Sequence, residues 1–411
     1  MGHRIRVSVI IATYNQADLL AETLRHLARQ TLPTDEFEVI VGDDGSSDHT
    51  TEVVRSFADT LQVKYVFQED RGFRAAAARN AAARLAAGAL LVTLDTGSMV
   101  GPDFLTAHLA AHAGGDGRRA VMGLSYGYTP DEPKQEVQEL LAQMLPETAV
   151  ERFRDMPDFQ DVRQSYFADC ELDLSRRRVA WQAFWTLNSS VRTDDFRRVG
   201  GFEEKFQGWG GEDMELALRL LRAGLTLHVA PEAWVVVAPH DRDPEANLEA
   251  LFANMRMFLA KFPEPVVELG LGVMLDKGDF WGWERTYAEL LDWQQRVRDL
   301  SVRDEIAKAL VDVPADESVA VIGCGADVPT TMAGAVLVDF DEELLARAVR
   351  SGDHSGYHAV GLHTLLADDS VDTVVITSRM TGLWATWSAE ILAEADRIGR
   401  RTVSYAAPAT S

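Results

Sequence analysis

Three observations predict an α/β chain: a doubly wound domain of the Rossmann-like, nucleotide-binding type, then a helical extension, then a second and smaller α/β domain. β-Branched runs alternate with amphipathic helices four times in about the first 95 residues, the pattern of parallel strands joined by crossover helices. Each run ends in a polar, turn-forming cluster, and open sheets of this kind bind ligands at those ends. Beyond Pro314 a second series of short apolar runs begins. The expected boundaries are 1–247, 248–313 and 314–411.

The first run, Val-Ser-Val-Ile-Ile-Ala from Val7, reads as a buried strand ending at Ala12, Thr13, Tyr14 and Asn15. A helix follows on Leu19, Leu20, Thr23, Leu24 and Leu27 and stops before Pro33. The second strand, 37–42, runs into Asp43-Asp44-Gly45-Ser46. A helix over 50–60, a strand over 63–67 and an Ala-rich helix ending near Gly88 come next. The fourth strand, 90–94, delivers Asp95-Thr96-Gly97. No G-x-G-x-x-G follows the first strand, which disfavours an ordinary dinucleotide site.

A helix over 102–112 and a strand over 120–126 follow, then a polar, acidic stretch over 130–178 that reads as helical and partly a lid. Arg176-Arg177-Arg178 reads as a solvated turn. The stretch 180–191 carries Trp181 and Trp185 and suits either a sugar-facing or a core strand. Gln207-Gly208-Trp209-Gly210-Gly211-Glu212-Asp213 places a Trp among three glycines ahead of a helix over 214–223. Glycine permits positive φ, and an amphipathic ring on a tight loop suits a sugar face. Residues 225–237 read as a strand pair broken near Pro231, ending at Pro239-His240-Asp241. Amphipathic helices over 248–262 and 287–311 are expected to pack on the first domain or to mediate dimerisation. The strands 318–322, 335–339 and 371–377, with a glycine turn at Gly323-Cys324-Gly325, resemble the nucleotide-binding half of an S-adenosylmethionine-dependent methyltransferase, in a degenerate and truncated form.

Composition narrows the function. With 64 acidic against 40 basic residues the net charge is −24, so nucleic acid and anionic membrane are not expected partners. Cys170 and Cys324 are the only cysteines, which excludes a disulfide framework and a cysteine metal cluster. No apolar segment approaches the roughly 20 residues that cross a bilayer, and the run after Met1 is too short for a signal peptide. A cytoplasmic protein is expected.

The strand-end clusters suit particular chemistry. Asp43-Asp44 is either a plain turn or a pair of acceptors for a base N–H and a ribose hydroxyl. Arg71, Arg74 and Arg79 flank a helix start, where a diphosphate is favoured by charge and by backbone N–H groups; at least one of the three is expected on a solvated face. Asp95 is where a hard divalent cation would sit, although one carboxylate is few for such an ion.

Taken together, the segments 7–15, 43–46, 70–80, 95–97, 188–202 and 208–213 resemble a family-2 glycosyltransferase with the GT-A fold, over about the first 250 residues. Gly208-Trp209-Gly210-Gly211-Glu212-Asp213 also resembles the acceptor motif of β-1,4-galactosyltransferases and bacterial chondroitin-type polymerases. The resemblance implies inverting transfer of a hexosyl group from a UDP- or dTDP-sugar to a hydroxyl of a soluble acceptor, with a natural product such as an aminocyclitol expected. A polysaccharide or protein acceptor, or a non-catalytic nucleotide-sugar-binding protein, is the alternative. It implies donor contacts from Ala12, Tyr14, Asp44, Arg74 and Asp95, and acceptor contacts from Trp209, Gly210 and Gly211. Asp213 becomes the general base and Glu212 the residue that orients the acceptor. Asp95 and His240 become ligands of a Mn²⁺ or Mg²⁺ ion, but Gly97 stands where the family usually has a second Asp, which leaves the metal requirement open.

Overall fold

A computed structural model describes residues 5–114, 118–127, 143–238, 243–311, 313–314, 316–332 and 334–406. The chain divides into two compact units, Met1–Asn254 and Met255–Ser411.

The first unit is built on strands β1 (Val7–Thr13), β2 (Phe37–Asp43), β3 (Val63–Phe67), β4 (Leu90–Asp95), β5 (Ser98–Val100), β6 (Arg119–Tyr126), β7 (Asn188–Arg192) and β8 (Thr226–Val237). They form one sheet in the order β3-β2-β1-β4-β7-β6-β8-β5. The β3-β2-β1-β4 half is parallel, whereas β7 runs antiparallel to both β4 and β6. Helices cover this half, so β1 and β2 are buried on both faces, which is why they read as unbroken β-branched runs. Val7, Val9, Ile11, Val39 and Val41 form its core with Leu20, Leu24 and Leu27 of the Ala17–Leu27 helix.

Register sets the active edge. Ala12 lies opposite Gly42 on one side and Asp95 on the other, so the ends of β2, β1 and β4 stop at one level. The Ala-rich helix Ala75–Arg84 packs close to these strands: a Cβ at Gly42 would stand 2.3 Å from the Ala78 carbonyl oxygen, so only glycine admits the helix here.

Two expectations change on the structure. Residues 226–237 form one strand through Pro231, not a broken pair; the pairing with β6 shifts between Gly123 and Ser125, which accommodates the missing proline N–H. The 180–191 stretch is not a single strand but a 3₁₀ turn, Ala180–Ala183, followed by β7. Trp181 in that turn is buried rather than presented at a surface. The acidic stretch contains helices Pro146–Phe153 and Gln164–Ala168; the fully buried Asp161–Arg163 ion pair ahead of the second anchors it to Gly123 and Ser125 of β6, and residues 128–142, part of the expected lid, lie outside the described residues.

The second unit holds the helices Pro265–Leu275, Gly282–Arg296 and Arg303–Ala309 together with a five-stranded parallel sheet, β9 (Val319–Ile322), β10 (Val336–Asp339), β11 (Ser355–His358), β12 (Val371–Ile376) and β13 (Gly399–Ser404), ordered β11-β10-β9-β12-β13. Glu268 of the first of these helices accepts backbone N–H groups from Val360, Gly361, Leu362 and His363, which locks helices and sheet into one body. At the end of β10, where a nucleotide-binding sheet presents an acid to ribose, Asp339 is fully buried against the guanidinium of Arg379, at 3.0 and 3.1 Å. Gly325 N–H donates to the same carboxylate at 2.7 Å. Cys324, in this glycine turn, and Cys170, in the first unit, are both buried free thiols.

Candidate active site

The parallel strand ends carry the residues expected on the donor side. Asp43 is a structural acid: its oxygens accept from Gly45 N, Ser46 N and the Tyr65 hydroxyl at 3.0, 2.7 and 2.6 Å, closing the turn. Asp44 points the other way and is buried, accepting from Gln68 Nε2 and from the Arg74 backbone N–H, both at 2.5 Å. Arg74 folds its guanidinium back toward Asp44 (3.6 Å) and donates to the Glu69 carbonyl. Its Nε is buried with no hydrogen-bond partner. Tyr14, next to the end of β1, is exposed and donates its hydroxyl to Asp70 at 2.9 Å. Ala12, Tyr14, Asp44, Arg74 and Asp95 therefore gather along one edge of the sheet.

The loop expected on the acceptor side owes its shape to its glycines. Gly208, Gly210 and Gly211 have φ of +76°, +87° and +92°, values that side-chain-bearing residues rarely adopt. The turn is anchored at both ends, Gly208 N–H donating to the Phe73 carbonyl at 3.1 Å and Asn254 Nδ2 to the Gly210 carbonyl at 2.7 Å. Between them Trp209 is left 39% exposed. Gly211 caps the helix Glu212–Arg222, so Glu212 and Asp213 are its first two residues.

Arg79 joins the two sides. From the middle of the Ala-rich helix it donates to Asp95 Oδ1 at 2.8 Å and to Glu212 Oε1 at 2.9 Å, with the ring of Phe202 lying 5.5 Å from its guanidinium carbon. Burial disfavours the charged guanidinium, but the two carboxylates more than offset this and raise its pKa. Of the three arginines near that helix start the sequence reading carried only Arg74 into the site; the structure adds Arg79. Burial is what marks it, and the Ala-rich run Ala75–Arg84 carries no sequence signal of which face is buried. Glu212 is 8% exposed, and its Oε2 is buried without a hydrogen-bond partner. Beside it Asp213 is half-buried; burial, then the Glu212 charge, push its carboxyl up to about 7, against the opposing pull of Arg79. A carboxylate poised near neutrality next to an unsatisfied acid can take a proton from a hydroxyl.

Metal ligation is thinly provided. Among the described residues no group of three or more His, Cys, Asp or Glu is placed to hold a metal ion. Asp95 keeps one oxygen outside the Arg79 pair and is 37% exposed on its side chain, which suits a Mg²⁺-like ion that takes its other oxygens from phosphate and water. His240, the other expected ligand, lies outside the described residues. Gly97 is more than a lost acid: its φ is +87° and a Cβ there would face Ala238 and Leu19 at 3.7 Å, so a side chain would enter an apolar contact. A cavity of about 590 Å³, lined in part by Ala107, Ala111, Arg119 and His228, opens at the other end of β6 and β8 and contains none of these residues.

Residues 8–182 match the family described as Glycosyl transferase family 2, and residues 168–238 match the family described as N-terminal domain of galactosyltransferase. The chain is 44% identical to validoxylamine A glucosyltransferase of Streptomyces hygroscopicus subsp. jinggangensis over 411 residues, 98% of this chain and 97% of that protein. It is 32% identical to chondroitin synthase of Escherichia coli over 228 residues, 53% of this chain and 32% of that one. Among solved structures, the mannosyltransferase PcManGT from Pyrobaculum calidifontis, in complex with GDP-Man and Mn²⁺, is similar at 26% identity and a TM-score of 0.44, over 63% of this chain and 64% of that chain.

Proposed function

The chain belongs to the family-2 glycosyltransferases, and from that premise we propose that it moves a hexosyl group, with inversion, from a UDP- or dTDP-sugar to a hydroxyl of an aminocyclitol natural product. The Arg79 bridge supports this best, because it sets the sheet edge that carries Asp44 and Asp95 beside the Glu212-Asp213 pair. The acceptor class follows the full-length likeness to an enzyme whose name gives validoxylamine A as its substrate.

In this scheme Asp44 accepts from the nucleobase, and Asp95 meets the ribose or the diphosphate. Arg74 turns from Asp44 toward the diphosphate, whose oxygens would satisfy its orphaned Nε. Trp209 offers its exposed ring to the acceptor. The unpartnered Oε2 of Glu212 accepts a hydrogen bond from an acceptor hydroxyl and aligns it. Asp213 takes the proton of the attacking hydroxyl, on the face opposite the leaving diphosphate. A Mn²⁺ or Mg²⁺ ion held by Asp95, with His240 as second ligand, would neutralise charge developing on that diphosphate. No helix among the described residues is long and apolar enough to cross a membrane, in keeping with a proposed cytoplasmic setting and a soluble acceptor.

The test is direct. The protein is incubated with UDP-glucose or dTDP-glucose and validoxylamine A, with and without Mn²⁺, and products are followed by mass spectrometry and anomeric-proton NMR. A β-linked hexoside from an α-linked donor is expected. An α-linked product would overturn inversion, and absence of any hexoside with both donors would overturn the acceptor assignment.

A further inference from the structure

Arg79 occupies an unusual place. It sits in mid-helix, is 7% exposed, and uses one guanidinium to hold two carboxylates that are 117 positions apart in sequence, Asp95 at a strand end and Glu212 at a helix start. Its neighbour Asn80 reinforces the junction. Asn80 Nδ2 donates to the Phe202 carbonyl at 2.8 Å and to Glu204 at 2.9 Å, and its Oδ1 accepts from Phe202 N at 2.9 Å. A Cβ on Gly201 would lie 2.6 Å from Asn80 Oδ1, so the turn before the acceptor loop is moulded onto this helix. Two adjacent residues thus pin the acceptor-side loop to the helix that packs on the donor strands.

A buried guanidinium is expensive unless fully paired. A hydrophobic residue on this Ala-rich helix would pack with less penalty if stability were the only demand. The arrangement makes more sense as a spacer of fixed length and charge.

We propose that Arg79 is a positioning residue that ties donor-side Asp95 to acceptor-side Glu212, and so holds the neighbouring Asp213 at a set distance from the donor and in a set charge environment. This rests on the assignment of Asp213 as base given above. Asp213 is faced by the carboxylate of Glu212, by the guanidinium of Arg79 and by the backbone of Met214 and Thr186. Arg79 is the single cation among them. Without it Asp95 and Glu212 become uncompensated anions, and Asp213 ionises later. With lysine in its place the charge remains, but a point charge cannot span two carboxylates as a planar fork does.

The experiment compares wild type, Arg79→Lys and Arg79→Met by two readouts. The first is the Asp213 titration midpoint from carboxyl ¹³C NMR of aspartate-labelled protein, assigned with Asp213→Asn. The second is kcat and donor KM for hexosyl transfer. In Arg79→Met the midpoint should rise by at least one pH unit and kcat fall at least a hundredfold. In Arg79→Lys the midpoint should stay within half a unit of wild type while kcat still falls tenfold or more, with donor KM changed less than threefold. An unmoved midpoint in Arg79→Met, or wild-type kcat in Arg79→Lys, overturns the proposal. If Arg79→Met fails to fold, Arg79→Lys decides alone by its kcat. Failure of the base assignment shows separately, as retained turnover in Asp213→Asn, and the NMR midpoint still reports on Arg79 if transfer is not observed at all.

Discussion

Asp213 combines a chemical demand with a physical cost. Its folded-state carboxyl, at about 7, lies above the ordinary 3.8 because burial and Glu212 disfavour the anion. A base acts only when ionised, so kcat should climb with pH through about 7 and level off above it, as a pH–rate profile would show. Stability runs the opposite way. Below about 4 both folded and unfolded states hold the proton; between 4 and 7 the unfolded chain releases it first, so this group draws stability down as pH rises through that window. Asp213→Asn cannot ionise. It should lose transfer by about a thousandfold or more, the scale on which general bases contribute, yet melt at pH 8 at a Tm equal to or above that of wild type. Donor affinity by calorimetry should stay within a few-fold.

At the scale of elements, the loop before the acceptor helix depends on backbone that only glycine supplies cheaply. Gly211 has φ +92°, and a Cβ there would press on Asn254 and Phe206 at 3.2 and 3.3 Å. Gly211→Ala should therefore cost roughly 1–3 kcal/mol, the scale of a strained left-handed residue, measured as a lower denaturation midpoint, and should raise acceptor KM as Trp209 shifts. This glycine–Trp–glycine loop is legible in the sequence, as are the four parallel strand ends, because a β-branched run stopped by Asp and Gly has few other readings. Other parts are not legible, for physical reasons. Which of Arg71, Arg74 and Arg79 turns inward depends on the face that the alanines bury, and an all-alanine helix carries no hydrophobic stripe to show it. β8 hides its continuity behind Pro231: Gly123 and Ser125 of β6 pair with Ala230 and Val235, so the extra residues that absorb the lost N–H lie in β8 itself, around the proline. β11 and β13 are edge strands made of Ser-Gly-Tyr-His and Gly-Arg-Arg-Thr-Val-Ser, polar because half their surface faces water. The sequence shows a strand that ends in an acid at Asp339; only its buried partner Arg379, 40 residues on, shows that acid already paired.

Over the whole chain, the two units carry different burdens. The first gathers the groups proposed to react. The second holds a fully buried ion pair, Arg379 with Asp339, at the crest of its sheet. Arg379→Met leaves Asp339 as a lone buried charge and should destabilise that unit by about 3–5 kcal/mol. Replacing both partners with apolar residues should recover most of the loss. Chemical denaturation checks both outcomes, and Trp293, whose indole donates to the Arg379 carbonyl at 2.7 Å, is one of the tryptophans that report it.

The two thiols, each sealed inside its own unit, have a practical bearing. Cys170 is 1% exposed and Cys324 not at all, so neither sulfur is within reach of an electrophile; burial, and then the charge of Asp339, also push the Cys324 thiol well above its usual range. Maleimide should leave the intact mass of the native enzyme unchanged over an hour. A single cysteine introduced at exposed Phe73, whose backbone holds the Trp209 loop, would then be the sole handle for a fluorophore, and the dye would sit at the mouth of the site to report each arrival of a sugar donor.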